Sequence, residues 1–400
     1  MTQLRSDTAR PASPYRRDSA TWVAFAALFG FGILFAMLGP VLPYLRETEH
    51  LSYVAGALHQ VAFALGGMTA GVLATRSTAP RRRVIGVGLV SAAVAGLLLG
   101  YGRIFPVTLV AVYLISAFAT SALIRMWALV ADLHPVHRTV AMTEGEVSVS
   151  LAGVVTPVLV SVCAATVVSW RFSFVIAFVV VLAVAATVGV TRLPDPALPA
   201  PALPDPALPA PAPQDSADPG PDGAGDHSNR RTLTTIFAVV ALEFTLSFWA
   251  ASYLHDDVGI ARDTSVALVS ALYAANLVGR LIASRLARRM AATAVLRLSL
   301  ATALVGVPFL LGAGNIGVAC VGLALSGMGI GGTFPLAASL HIAASPRTAD
   351  QALGQILAVA GVGQIVGPLV AGALAQGAGL RVGLLAMPVL VLLAAAMSRR

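Results

Sequence analysis

Apolar residues along this chain come in unbroken blocks of about twenty, separated by short clusters of charged and turn residues. A helix rising about 1.5 Å per residue crosses about 30 Å of bilayer hydrocarbon in such a block. The blocks fall at 21–45, 52–74, 84–102, 107–131, 140–165 and 171–190, and then at 233–254, 265–285, 293–313, 316–342, 352–375 and 382–397. They are continuous and lack period-two alternation, so the pattern predicts twelve membrane helices rather than barrel strands.

Between the two sets of six lies a different polymer. Residues 193–202 read LPDPALPAPA, and residues 203–212 repeat them letter for letter. Proline at this density favours extended polyproline II and builds no core, so the segment reads as a spacer, or alternatively as a proline-rich ligand for a partner. The chain before the first block has arginines but no apolar stretch of the kind a signal peptide needs. The organisation expected is a disordered cytoplasmic tail over 1–20, a six-helix bundle over 21–192, a Pro/Ala-rich cytoplasmic linker over 193–231 and a second six-helix bundle over 232–400.

The two sets echo each other. Tyr44-Leu45 and Tyr253-Leu254 stand 209 residues apart, as do Arg138-Thr139 and Arg347-Thr348. Gly71 and Gly279 stand 208 apart, and Thr156-Pro157 and Gly367-Pro368 stand 211 apart. Parallel six-helix repeats are one architecture of secondary transporters, with the solute site between the halves. An even number of spans puts both chain ends on one side. Loops on that side hold nineteen arginines against five opposite, so the positive-inside rule places both termini in the cytoplasm.

Composition narrows the class. Apolar residues make up 57% of the 400 and charged residues only 11%, against about 25% in soluble proteins. Mean hydropathy is +0.84. There is no lysine, so all 26 basic residues are arginine. That excludes a P-loop lysine on ATP and a Schiff base. Cys163 and Cys320 sit in apolar runs, and neither HExxH nor GxSxG occurs, so no enzyme, cofactor or metal site is indicated. The net charge of +8 is assigned to cytoplasmic loops beside anionic lipid rather than to nucleic acid.

Several segments resemble the major facilitator superfamily, over nearly the whole length. They are GPVLPYL at the end of the first span (Gly39–Leu45), ALVADLHPVHRTVA (Ala128–Ala141), Trp170-Arg171, and the glycines and proline at Gly354, Gly363, Gly367-Pro368 and Gly372. The resemblance implies two six-helix bundles that rock about a central site. It assigns a gating motif to Gly71 and Arg76, with a second copy at Gly279 and Arg280, and a helix-bending motif to Gly363, Gly367 and Pro368. Thr75 and Ala283 stand where the family's motif carries aspartate, so that state-locking latch is altered. Tyr113 stands where proton-coupled antiporters often carry arginine.

Ionisable residues inside spans are few and usually functional. Glu243, near the middle of the seventh span in ALEFTLSFWAASYL (Ala241–Leu254), is the candidate for proton coupling, the alternative being a structural glutamic acid. Arg125 lies at a depth comparable to Glu144 and Glu146 on the next span, so a pair is expected, either an inner gate or a static bridge. Arg280 either anchors an anionic solute or snorkels to the cytoplasmic face. Trp249 is an aromatic wall of the cavity or an interfacial belt residue, and Gln60, Asn276 and Gln364 are cavity amides or helix-helix hydrogen bonders. The function expected is proton-coupled movement of a small organic solute by a monomer in the cytoplasmic membrane. Drug or metabolite efflux is favoured over sugar-like or organic-acid uptake; an embedded enzyme and the permease subunit of an ATP-driven complex are the other classes.

Overall fold

The computed structural model describes residues 15–74, 76–134, 137–194, 223–345 and 349–398. The tail before Tyr15, most of the proline-rich linker, Thr75 and the Arg347-Thr348 echo lie outside them.

Twelve helices are long and apolar enough to cross a membrane, matching the twelve blocks. They run Ser19–Thr48, Tyr53–Ala74, Arg81–Tyr101, Phe105–Leu133, Val140–Ala164 and Phe172–Val190, then Ser228–Asp256, Arg262–Leu286, Ala292–Leu311, Ile316–Ala344, Gln351–Ala378 and Leu380–Met397. These are the first to twelfth spans below, and the end of the bundle that carries both chain ends is the terminal face. Their outer surface is apolar, with Val94, Leu98, Val179, Phe309 and Leu392 all exposed, as lipid requires.

Three spans are broken: the twelfth, which divides into Leu380–Gly383 and Ala386–Met397, and the first and tenth, where proline explains the place. The first divides into Ser19–Ala36 and Leu38–Thr48. Pro40 has no N–H to donate to Ala36, and the ladder resumes with Val41 donating to Met37 at 3.1 Å. The tenth divides into Ile316–Gly331 and Thr333–Ala344. There Pro335 leaves the Gly331 carbonyl without its helical donor. Capping is local: Asp18 accepts from the Thr21 N–H at 2.8 Å, and Asn315 from Val318 at 3.0 Å.

Packing repeats with a shift of six. The first span packs on the fifth, the second on the fourth and the third on the sixth; the seventh packs on the eleventh, the eighth on the tenth and the ninth on the twelfth. The halves meet along two seams, fifth against eighth and second against eleventh. The two parts of the first span differ. Ser19–Ala36 packs inside its own half, whereas Leu38–Thr48 packs on the seventh and eighth spans. Closure is therefore built into the face away from the termini.

The repeat does not make the paired glycines equivalent. A Cβ on Gly279 would collide with the Met328 carbonyl oxygen on the tenth span, while one on Gly71 would meet nothing within 4 Å. We expect Gly279→Ala to destabilise the protein by about 1–3 kcal/mol through overpacking. Gly71→Ala should change stability by no more than about 0.5 kcal/mol. Thermal melts of both variants in detergent check the contrast, and equal melting shifts would refute it.

Candidate functional site

Between the halves lies a cavity of about 680 Å³. It reaches from mid-span to Thr143 and Ser284, which stand close to the terminal ends of the fifth and eighth spans, so it opens toward the terminal face. The walls are mainly aromatic and aliphatic, including Phe31, Phe35, Phe244, Phe334 and Leu277. Its charged residues are Glu146, Glu243 and Arg280. Along the eighth span Tyr273, Asn276, Arg280 and Ser284 recur at three- and four-residue spacing, so one helix face carries half of the polar lining.

Glu243 accepts a hydrogen bond from Asn276 Nδ2 at 3.3 Å. Beyond it lies a second, smaller cavity of about 60 Å³, lined by Gln60, Phe63, Gly39 and Ser247 among others. Phe35, Glu243, Phe244 and Tyr273 border both cavities. They form the septum between the larger space and the smaller one. Gln60 is buried, and its amide nitrogen has no hydrogen-bond partner.

Arg280 joins three elements. Its Nη1 donates to Glu146 Oε2 at 2.6 Å, across the seam between the halves, and its Nε donates to the Gly331 carbonyl at 3.2 Å. That carbonyl is the one released by Pro335. Arg280 therefore lines the cavity instead of extending past it into the interface.

Other sequence expectations are corrected. Arg125 bonds neither glutamate; its Nη2 donates to the Ser77 carbonyl at 2.7 Å. Glu144 is held by Arg17, with Nε at 2.8 Å and Nη2 at 2.5 Å, and by the Tyr15 hydroxyl at 2.8 Å. The reason is side-chain direction. The fourth and fifth spans meet there through Trp127 and Gly145, but Arg125 turns to the loop at Ser77 and Glu144 to the chain just before the first span. Two residues apart, Glu144 and Glu146 also point to opposite sides of their helix. Trp249 is neither a cavity wall nor a belt residue: it is 0% exposed, and its Nε1 donates to the Pro368 carbonyl at 2.9 Å. Gln364 lies outside the cavity lining. Arg76 is exposed in the turn after the second span. Gly363 and Gly367 pack closely on the seventh span, where a Cβ would lie 2.9 Å from the Phe237 oxygen and 2.5 Å from the Ala241 oxygen.

The closed face carries residues that sequence reasoning missed. Arg46 donates to Asp256 at 2.7 Å and stacks over Tyr53 at 3.8 Å, and the Tyr53 hydroxyl reaches Asp256 at 3.0 Å. Arg262 pairs with Glu47, and the Tyr44 hydroxyl donates to Asp263 at 2.5 Å. The 209-residue offset could have revealed part of this lock, because it relates Glu47 to Asp256 and Tyr53 to Arg262. Each acid ends the first helix of one repeat and bonds the opening of the other repeat's second helix. Nearby, Thr108 Oγ1 lies 3.1 Å from both Glu49 Oε2 and His59 Nε2. Burial pushes the Glu49 carboxyl above the usual carboxylate range, against the pull of the Thr108 hydrogen bond and Arg171.

The family model of the Major Facilitator Superfamily matches residues 23–354, and again 233–399. The chain belongs to the major facilitator superfamily. It is thus a multi-pass secondary transporter working by alternating access. Similar solved structures share the fold. A bacterial homologue of the human lysosomal transporter Spinster, inward-facing and unoccupied, is 15% identical, with 96% of this chain and 97% of that chain covered and a TM-score of 0.73. A nucleoside transporter is 12% identical (95% and 99% covered, TM-score 0.71), and a peptide transporter in complex with sulfate is 12% identical (95% and 93%, TM-score 0.72). None of the curated protein sequences matches the chain.

Each half-exposed bridge of the outer lock contributes about 1 kcal/mol, a factor of about five in the closed-to-open ratio. In a Cys163→Ser, Cys320→Ser background with Ser247→Cys as reporter, Arg46→Asp should raise maleimide labelling from the face away from the termini by about that factor. Adding Asp256→Arg should restore protection. Unchanged labelling in the single variant would rule the bridge out as a lock.

Proposed function

We propose that this transporter carries a small organic solute across the cytoplasmic membrane and couples that movement to protons through Glu243. The observation that carries the reading is the position of the Glu243 carboxyl in the septum shared by the larger and the smaller cavity. A carboxyl at that boundary is wetted from one side at a time as the halves rock. Water, Asn276 and the Arg280 charge favour its ionised form, and the apolar walls favour its protonated form. Exchange of one proton per reorientation is what coupling to a gradient requires.

The largely apolar lining suits a drug or metabolite better than a sugar, whose hydroxyls would need many polar partners. On this reading efflux is the direction, the nineteen-to-five arginine bias sets both termini in the cytoplasm, and one chain works as a monomer. The open cavity then faces the cytoplasm, where an exporter loads.

Glu243→Gln fixes the neutral state. In proteoliposomes it should abolish accumulation driven by a pH gradient, a loss of at least about tenfold, while leaving solute exchange at zero gradient in place. Gradient-driven accumulation at the wild-type level would remove Glu243 from coupling.

A further inference from the structure

The cavity also indicates which solutes it takes, on the reading that it is the transport path. Among the described residues Arg280 is the one cationic side chain in its lining. Two of the guanidinium's three nitrogens are engaged: Nε with the Gly331 carbonyl and Nη1 with Glu146. Among the described residues Nη2 has no protein partner. The contact to the Gly331 backbone fixes the guanidinium in place, since Pro335 denies that carbonyl any helical donor.

Glu146 is the movable partner. It uses a single oxygen, its side chain is 41% exposed against 29% for Arg280, and it belongs to the other half of the molecule. An incoming carboxylate or sulfonate can take its place and reach Nη2 as well, giving the forked pairing that guanidinium favours. The exchange replaces one anion by another, so the half-buried cation never stands unpaired. A cationic solute has no such route. Pairing with Glu146 would strip Arg280 of its counter-charge within apolar walls, and pairing with Glu243 would set the solute beside the same guanidinium.

We propose that the cavity binds amphipathic organic anions, compounds with one carboxylate or sulfonate on an aromatic or aliphatic body, with Arg280 seating the anionic group in place of Glu146. The body packs against Phe31, Phe35, Phe244 and Phe334. Binding would replace a bridge between the halves with a solute held by one of them, which frees the halves to move.

Equilibrium binding to the purified protein in nanodiscs tests this, with naphthalene-2-carboxylate, its neutral carboxamide and the matched aminomethyl cation as probes. The carboxylate should bind at least about tenfold more tightly than the carboxamide, with the cation weakest. Arg280→Gln should erase that preference and leave carboxamide affinity within about twofold, while Arg280→Lys, which keeps the charge without the fork, should retain part of it. Glu146→Gln should tighten carboxylate binding several-fold by removing the competitor. The proposal is overturned if carboxylate and carboxamide bind equally, if the cation binds best, if no probe binds at millimolar concentration, or if the preference survives Arg280→Gln. Surviving preference in a folded Arg280→Lys variant guards against misreading a misfolded glutamine variant. The assay uses no gradient, so failure of Glu243 coupling would leave it unaffected, and failure here would leave Glu243-dependent accumulation standing.

Discussion

Inside a bilayer a backbone carbonyl that loses its helical donor has no water to turn to, and this constraint shapes both the fold and the site. It forces the twelve spans to be helices, and it makes each proline within them costly unless another donor is at hand. Pro335 releases the Gly331 carbonyl, and the donor that takes it is Arg280. A break in the tenth span is thereby tied to the charge of the cavity. Pro368 in the eleventh span frees the Gln364 carbonyl, while its own carbonyl accepts from the buried Trp249 indole. At Gly331 a side chain from the facing eighth span completes the interrupted ladder, which ties the two helices together there.

A second constraint is symmetry. Two parallel six-helix repeats bring the same pairs of helices together, and the two seams between them are related by the same shift. The lock at the face away from the termini follows from that. Glu47 and Asp256 are repeat counterparts, and so are the residues they reach, Arg262 and Tyr53. Because each bridge lies at a wet surface, it is weak enough to break and reform, as alternating access demands of a closed end. Gly39 supports the same closure by packing: a Cβ there would meet the Ser247 carbonyl oxygen on the seventh span.

Much of this was legible in the sequence because hydrophobic blocks and a fixed offset survive without knowledge of packing. Span number and the repeat belong to that layer, and so do Glu243 and Asn276 as separate candidates, whose hydrogen bond the structure adds. What was not legible depends on azimuth and on which helices touch. Arg125 and Glu144 lie at matching depth, yet their side chains turn to different neighbours, and each finds a nearer partner in Ser77 and Arg17. Trp249 has the composition of a cavity wall, but it points into the seam around Pro368 and Tyr53. Arg280 was ambiguous between snorkelling and anchoring until the carbonyl freed by Pro335 showed where its fork is held.

Symmetry of the scaffold does not extend to its chemistry. The offset of 209 places Leu34, a buried aliphatic residue, where the first half would carry a counterpart of Glu243. The local offset of 208 places Met68 and Val72 opposite Asn276 and Arg280. The first half therefore presents Phe31, Phe35 and Leu123 to the cavity and contributes a single charge, Glu146, which leans across to Arg280. With both the septum carboxyl and the fixed cation on the second half, the proposed anionic solute and the proposed coupling proton would be sensed by one half. The other half supplies an apolar wall and a removable counter-ion. Such a division lets the rocking motion change the electrostatics of the site without dismantling the groups that define it, because the residue that departs is the one that the second half can exchange.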